Sequence, residues 1–166
     1  YGVSFEPNTP ADSSVTGMQT SFNATNDSAF KTTLATPTAD GYEFAGWFTA
    51  KVDGTALTDK DGAVSDIDGT VVDGKWVLDS NATFYAQWIA NEYTITFTKN
   101  NEKATGADYT QTATYAQEFT LAECKFTYAG YNFMGWATTA SGEVQYQSGT
   151  EVKNLTTTKA ITLYAV

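Results

Sequence analysis

The sequence has no histidine, no arginine and a single cysteine, and each absence removes a class of chemistry. Without His there is no Ser-His-Asp triad, no imidazole base and no His-ligated zinc. Cys124 can form no internal disulfide and has no imidazole to activate it, so it reads as a small buried apolar residue. Positive charge is scarce, with nine lysines against nineteen Asp and Glu for a net −10. A phosphate-rich partner is held by Arg forks on a basic face, so nucleic-acid binding is excluded. No apolar run approaches the roughly 20 residues of a spanning helix, and no membrane insertion is expected of these residues.

What is abundant is aromatic. Phe, Trp and Tyr make up 14% of the 166 residues, within an apolar fraction of 42%, which is enough for a packed core. The length suits one ordinary domain or two small ones. Internal repetition decides for two. Gly41-Tyr42-Glu43-Phe44-Ala45-Gly46-Trp47 matches Gly130-Tyr131-Asn132-Phe133-Met134-Gly135-Trp136 at five of seven positions. Upstream, Tyr1 to Phe5 and on to Asn8 mirrors Tyr93 to Phe97 and on to Asn100. Downstream, Thr83-Phe84-Tyr85-Ala86 mirrors Thr162-Leu163-Tyr164-Ala165. Three blocks in one order predict two copies of a unit, residues 1–90 and 91–166. The short joint at Ile89-Ala90-Asn91-Glu92 has no Gly or Pro, and a stiff junction is expected there.

Within the blocks the period is two. Tyr93, Ile95 and Phe97 alternate with Thr94, Thr96 and Thr98, as in a strand with one face toward water. Helical signal is thin: Ser28 could cap a short helix carrying Phe30 and Leu34 on one face, and one such helix per copy is the most expected. The first copy is about ten residues longer between its second and third blocks. The excess lies near 59–76, rich in Asp-Gly turns, and is expected to be a surface loop. The second copy stops at Val166 where the first continues with Gln87 and Trp88, and the chain opens within a strand rather than a leader. Both features suggest a piece of a longer protein.

Candidate sites are few. Trp47 and Trp136 each follow a glycine on a parity opposite to Tyr42 and Phe44 or Tyr131 and Phe133. They either close a small core or, exposed with Tyr85 and Tyr164, form a patch that stacks on sugar or protein. Asp59, Asp61, Asp66, Asp68 and Asp73 crowd oxygen ligands of the kind calcium prefers, although no EF-hand pattern is present. Turn chemistry on a solvated loop explains the same residues. Lys99 and Asn100 are of the types that an isopeptide crosslink joins, but the sequence gives them no pairing. No catalytic residues are identified.

The pattern Tyr-x-Val/Ile-x-Phe, Gly-Tyr-x-Phe-x-Gly-Trp and Thr-Phe/Leu-Tyr-Ala-x-Trp resembles the Listeria–Bacteroides repeat family, the B-repeat-like modules of internalin-type proteins. It falls at Tyr1–Phe5, Gly41–Trp47 and Thr83–Trp88, and again at Tyr93–Phe97, Gly130–Trp136 and Thr162–Val166. The resemblance implies an α+β, β-dominated fold of two tandem β-grasp-like repeats, each with about four strands. It further implies a non-enzymatic module of a bacterial cell-surface or secreted protein, used as spacer or stalk and as a protein-interaction surface. The alternative is an adhesin-type module recognising glycan or host protein through exposed aromatics, aided by calcium. Neither reading needs a resident cofactor.

Overall fold

The computed structural model describes residues 1–166, and every regular element in it is a strand. It divides into two units, Tyr1–Ile89 and Ala90–Val166. The first holds β1 (Gly2–Glu6), β2 (Val15–Thr16), β3 (Phe22–Asn23), β4 (Ser28–Ala29), β5 (Thr38–Ala39), β6 (Tyr42–Phe48), β7 (Val71–Val72), β8 (Lys75–Trp76) and β9 (Ala82–Ala90). The second holds β10 (Glu92–Thr98), β11 (Tyr109–Thr114), β12 (Phe119–Thr120), β13 (Trp136–Ala137), β14 (Glu151–Val152) and β15 (Ala160–Ala165).

Each unit is organised on one parallel pair. β1 runs parallel to β9 with Val3 opposite Ala82 and Phe5 opposite Phe84. β10 runs parallel to β15 with Ile95 opposite Ile161 and Phe97 opposite Leu163. The first and third repeated blocks therefore meet in the same register in both units. Around the pair, the first unit builds a six-stranded sheet in the order β2-β5-β6-β9-β1-β3, and the second a four-stranded sheet in the order β11-β10-β15-β13. Alternation then sorts the side chains. Tyr93, Ile95 and Phe97 are all but fully buried, whereas Thr94 between them is exposed.

The expectation of an α+β fold is corrected to an all-β one, and the helix a β-grasp packs on its sheet is not formed. Ser28–Ala29 is strand β4, the Phe30 N–H donates to the Gly74 carbonyl (2.8 Å), and the Leu34 N–H to that of Gly62 (2.9 Å). Residues four apart share a face in a strand as well as in a helix, so the pair Phe30 and Leu34 could not discriminate between them. The intervening Thr32 and Thr33 are β-branched and favour extended chain, and Thr33 makes a bridge with Ala63.

The Asp-Gly-rich insertion is also not a plain surface loop. Residues 71–76 form the β7–β8 hairpin, and β8 pairs with β4 to give a separate three-stranded sheet. Asp73 and Gly74 take φ of 51° and 68°, the double positive that a two-residue hairpin of primed type requires. The hairpin drives Val71 and Trp76 into the core, both at 0% exposure. Trp76 stacks on Phe30 at 5.4 Å and 23°.

Candidate functional site

The residues with most chemical character are the tryptophans, and glycine decides where they point. Gly46, within β6, has φ of 139°, and Gly135, immediately before β13, has φ of 144°, values that break the two-residue alternation of extended chain. Phe44 and Trp47, three apart, consequently both reach the core, with centroids 5.5 Å apart. Phe133 and Trp136 do the same at 4.8 Å. The strand phenylalanines complete the nest, with Phe5 to Trp47 at 4.9 Å and Phe97 to Trp136 at 4.8 Å. Both indoles are at 0% exposure, so neither offers a face to sugar or protein, and the stacking role is corrected for Trp47 and Trp136. The Trp47 Nε1–H donates to the Ala35 carbonyl at 2.8 Å, whereas the buried Nε1 atoms of Trp76 and Trp136 have no acceptor.

Tyr85 and Tyr164 are not gathered with these tryptophans. Each is half-buried between core residues of its strand and so projects from the opposite face. Tyr85 carries the Lys51 ammonium 5.8 Å from its ring centroid, which leaves a single shielded ring rather than an aromatic platform.

The five aspartates are exposed, and the carboxylates of Asp59 and Asp66 hold backbone amides. Asp59 Oδ1 accepts the N–H groups of Asp61 and Ala63, both at 2.9 Å. The Asp66 carboxylate accepts those of Asp73 (2.9 Å) and Gly74 (3.1 Å), fixing the hairpin turn from below. Asp61 pairs with Lys60 at 2.8 Å, and that hydrogen bond is the main reason the Lys60 ammonium is held above its ordinary range. No three Asp, Glu or Cys side chains converge as a metal ion would need, Asp59, Asp61, Asp66, Asp68 and Asp73 included.

The recurring asparagines Asn8 and Asn100 have a role that their recurrence in the sequence does not specify. Asn8 sits at φ 43° after β1, and its Nδ2 donates to the Ala86 carbonyl (2.9 Å) and the Lys51 carbonyl (3.0 Å). Asn100 sits at φ 55° after β10, and its Nδ2 donates to the Ala165 carbonyl (3.2 Å) and the Ala140 carbonyl (2.7 Å). Each clamps the end of the parallel pair to the loop beyond the tryptophan strand. The signal was the recurrence of Asn three places after the strand's last Phe. With its amide so engaged, Asn100 serves as a fastener and has no geometry toward a crosslink with Lys99.

Elsewhere the ionisable groups follow burial. The Tyr109 hydroxyl, stacked on Phe97 at 4.7 Å and donating to the Glu123 carbonyl (2.8 Å), is pushed up to about 12 by desolvation. Burial likewise raises the Tyr93 hydroxyl and the Cys124 thiol, so Cys124 is a poor nucleophile.

Two all-β units with the same register, the same glycine-turned tryptophan nest and the same asparagine clamp define a tandem repeat protein. The chain belongs to the Listeria-Bacteroides repeat domain family, whose sequence profile matches residues 1–87 and again 93–166. This is a repeat domain found in bacterial surface proteins such as internalin. The chain is 32% identical to Internalin H of Listeria monocytogenes serovar 1/2a over 139 residues, covering 82% of its own length and 21% of that protein. It is 28% identical to a putative membrane protein of Evansella cellulosilytica, over 99% of its length and 22% of that protein. A putative Gly-rich membrane protein of the same organism is 31% identical over 75% of the chain and 14% of the relative. The chain thus spans about a fifth or less of the relatives it matches. No solved structure matches it.

Proposed function

We propose that this chain is a non-enzymatic spacer within a bacterial cell-surface or secreted protein, two modules that hold other domains at a distance and offer surface to neighbours. The observation that supports it best is where the aromatic residues go. Both modules spend their largest rings on the same internal nest, Phe5, Phe44 and Trp47 in one and Phe97, Phe133 and Trp136 in the other. A small domain must use bulky rings this way to be stable, because its surface is large for its volume. Surface location accords with relatives named as membrane proteins and as an internalin. The net charge of −10 and the exposed threonines keep such a module soluble.

Exchange tests the proposal. Replacing residues 1–166 in the parent protein by an unrelated pair of β-modules of equal length is expected to preserve the parent's activity, whereas deleting them impairs it. Loss of activity on exchange would show that recognition, not distance, is the task, and would favour the adhesin reading.

A further inference from the structure

The first module holds five Asp-Gly steps, at Asp40, Asp53, Asp61, Asp68 and Asp73. Such a step is chemically weak. The peptide nitrogen that follows an aspartate can attack the side-chain Cγ, and glycine, having no Cβ, leaves the approach unhindered. A folded chain prevents the attack by engaging the nitrogen, by engaging the carboxylate or by enclosing the step.

Four of the five are protected in these ways. Gly41 is buried, and Gly54 backs so closely onto the Ala50 amide that even a Cβ would collide there. At Asp61 the carboxylate pairs with Lys60, and the Gly62 N–H donates to the Asp59 carbonyl at 3.2 Å. Asp73 and Gly74 are exposed, but the Gly74 N–H is held by the Asp66 carboxylate at 3.1 Å. Asp68-Gly69 has none of these safeguards. Both residues are exposed, and nothing lies within 4 Å of where a Cβ on Gly69 would stand. Neither the Asp68 carboxylate nor the Gly69 N–H takes part in a hydrogen bond.

Position gives the step its consequence. Asp68 and Gly69 form the middle of a turn closed by the Thr70 N–H on the Ile67 carbonyl (2.9 Å), with Gly69 at φ 71°. The same carbonyl accepts the Val71 N–H (2.9 Å), and the Ile67 N–H donates back to the Val71 carbonyl (2.7 Å). Ile67 and Val71 belong to the core, and Val71 opens β7, which pairs with the strand carrying Trp76.

We propose that Asp68-Gly69 is a site of spontaneous backbone modification, where isoaspartate enters the first module. The Gly69 nitrogen bonds to Asp68 Cγ and gives up its proton, the carboxyl hydroxyl leaves as water, and a five-membered succinimide ring closes. Water then opens the ring at either carbonyl. Cleavage at Cγ restores aspartate. Cleavage at the main-chain carbonyl leaves Gly69 joined through Cγ, with no net change in mass. That second product inserts a methylene into the main chain between Ile67 and Val71 and disturbs the bonds that close the turn. This goes beyond the spacer reading, which stands whether or not the step reacts.

The test incubates the 166-residue chain at mildly acidic pH and maps products by peptide mass spectrometry and by labelling with an isoaspartate-specific carboxyl methyltransferase. The expected result is a species short of one water, then isoaspartate, at Asp68 ahead of the other four steps. The melting temperature of the first module is expected to fall as conversion proceeds. Asp68→Glu, whose longer side chain would have to close a six-membered ring, is expected to remove both the product and the fall. Asp66→Ala frees the Gly74 N–H and is expected to bring isoaspartate to Asp73. The proposal is overturned by an absence of isoaspartate at Asp68, by an earlier or equal product at another step, or by conversion that leaves the melting temperature unchanged. Failure of Asp66→Ala to expose Asp73 would overturn the protective role of the held amide, on which the ranking rests.

Discussion

At the scale of residues, Gly46 and Gly135 set the orientation of everything downstream. Their φ values of 139° and 144° are rarely open to a side chain, and the surroundings leave no room for one. A Cβ on Gly46 would run into the Thr58 carbonyl oxygen, and one on Gly135 into the Val144 side chain and the Tyr146 carbonyl. Gly46→Ala and Gly135→Ala are each expected to cost about 2 kcal/mol or more, read from denaturant melts of the affected module. Trp47→Ala and Trp136→Ala, at 0% exposure, are expected to cost about 3–5 kcal/mol. A loss below about 1 kcal/mol would mean the indoles are not enclosed.

Tyr109 makes a prediction of a different kind. Its hydroxyl titrates near 12 in the folded chain against 10.0 ordinarily, because burial disfavours the phenolate. The stability this represents is fully present below pH 10 and is lost as pH rises toward about 12, since the unfolded state releases its proton first. Alkaline melts are expected to show the second module weakening across that window, and Tyr109→Phe to flatten the slope.

At the scale of elements, the insertion deserves weight because it was read as a loop and is part of a core. Asp-Gly placement foretold the turn at Asp73 and Gly74, but only the fold reveals that Trp76 then stacks on Phe30. Asp66→Ala removes the acceptor for two turn amides and is expected to cost about 1–2 kcal/mol, with loss of hydrogen-exchange protection in 71–76. The strands of the first and third repeated blocks were legible because their period-two pattern is unambiguous, and Thr94 beside Ile95 falls out as written, whereas the middle block forms a full strand at Tyr42–Phe48 and only the pair Trp136–Ala137 in the second unit. Helix against strand at Phe30 and Leu34 was not legible, since spacing of four satisfies both. Nor was the fate of Trp47 and Trp136, because parity counting fails across a glycine with positive φ. The asparagine clamp was visible as a recurrence, but its partners, Lys51 and Ala140, lie in loops that share no residue type.

At the scale of the whole molecule, the account requires that each module hold its own core. Buried clusters support this: Val3, Phe5, Trp47, Trp76 and Phe84 belong to one, and Tyr93, Phe97, Trp136 and Leu163 to the other. Small repeats of this sort draw stability from their own packing and from nearest neighbours only. The most direct check is to express residues 1–90 and 91–166 separately and compare near-ultraviolet circular dichroism and thermal melts with the intact chain. Cooperative unfolding of both fragments, with aromatic spectra that sum to that of the whole, is the predicted result. A fragment that stays unfolded, or a sum that fails to reproduce the intact spectrum, would contradict the claim that one tryptophan-centred sheet is built twice.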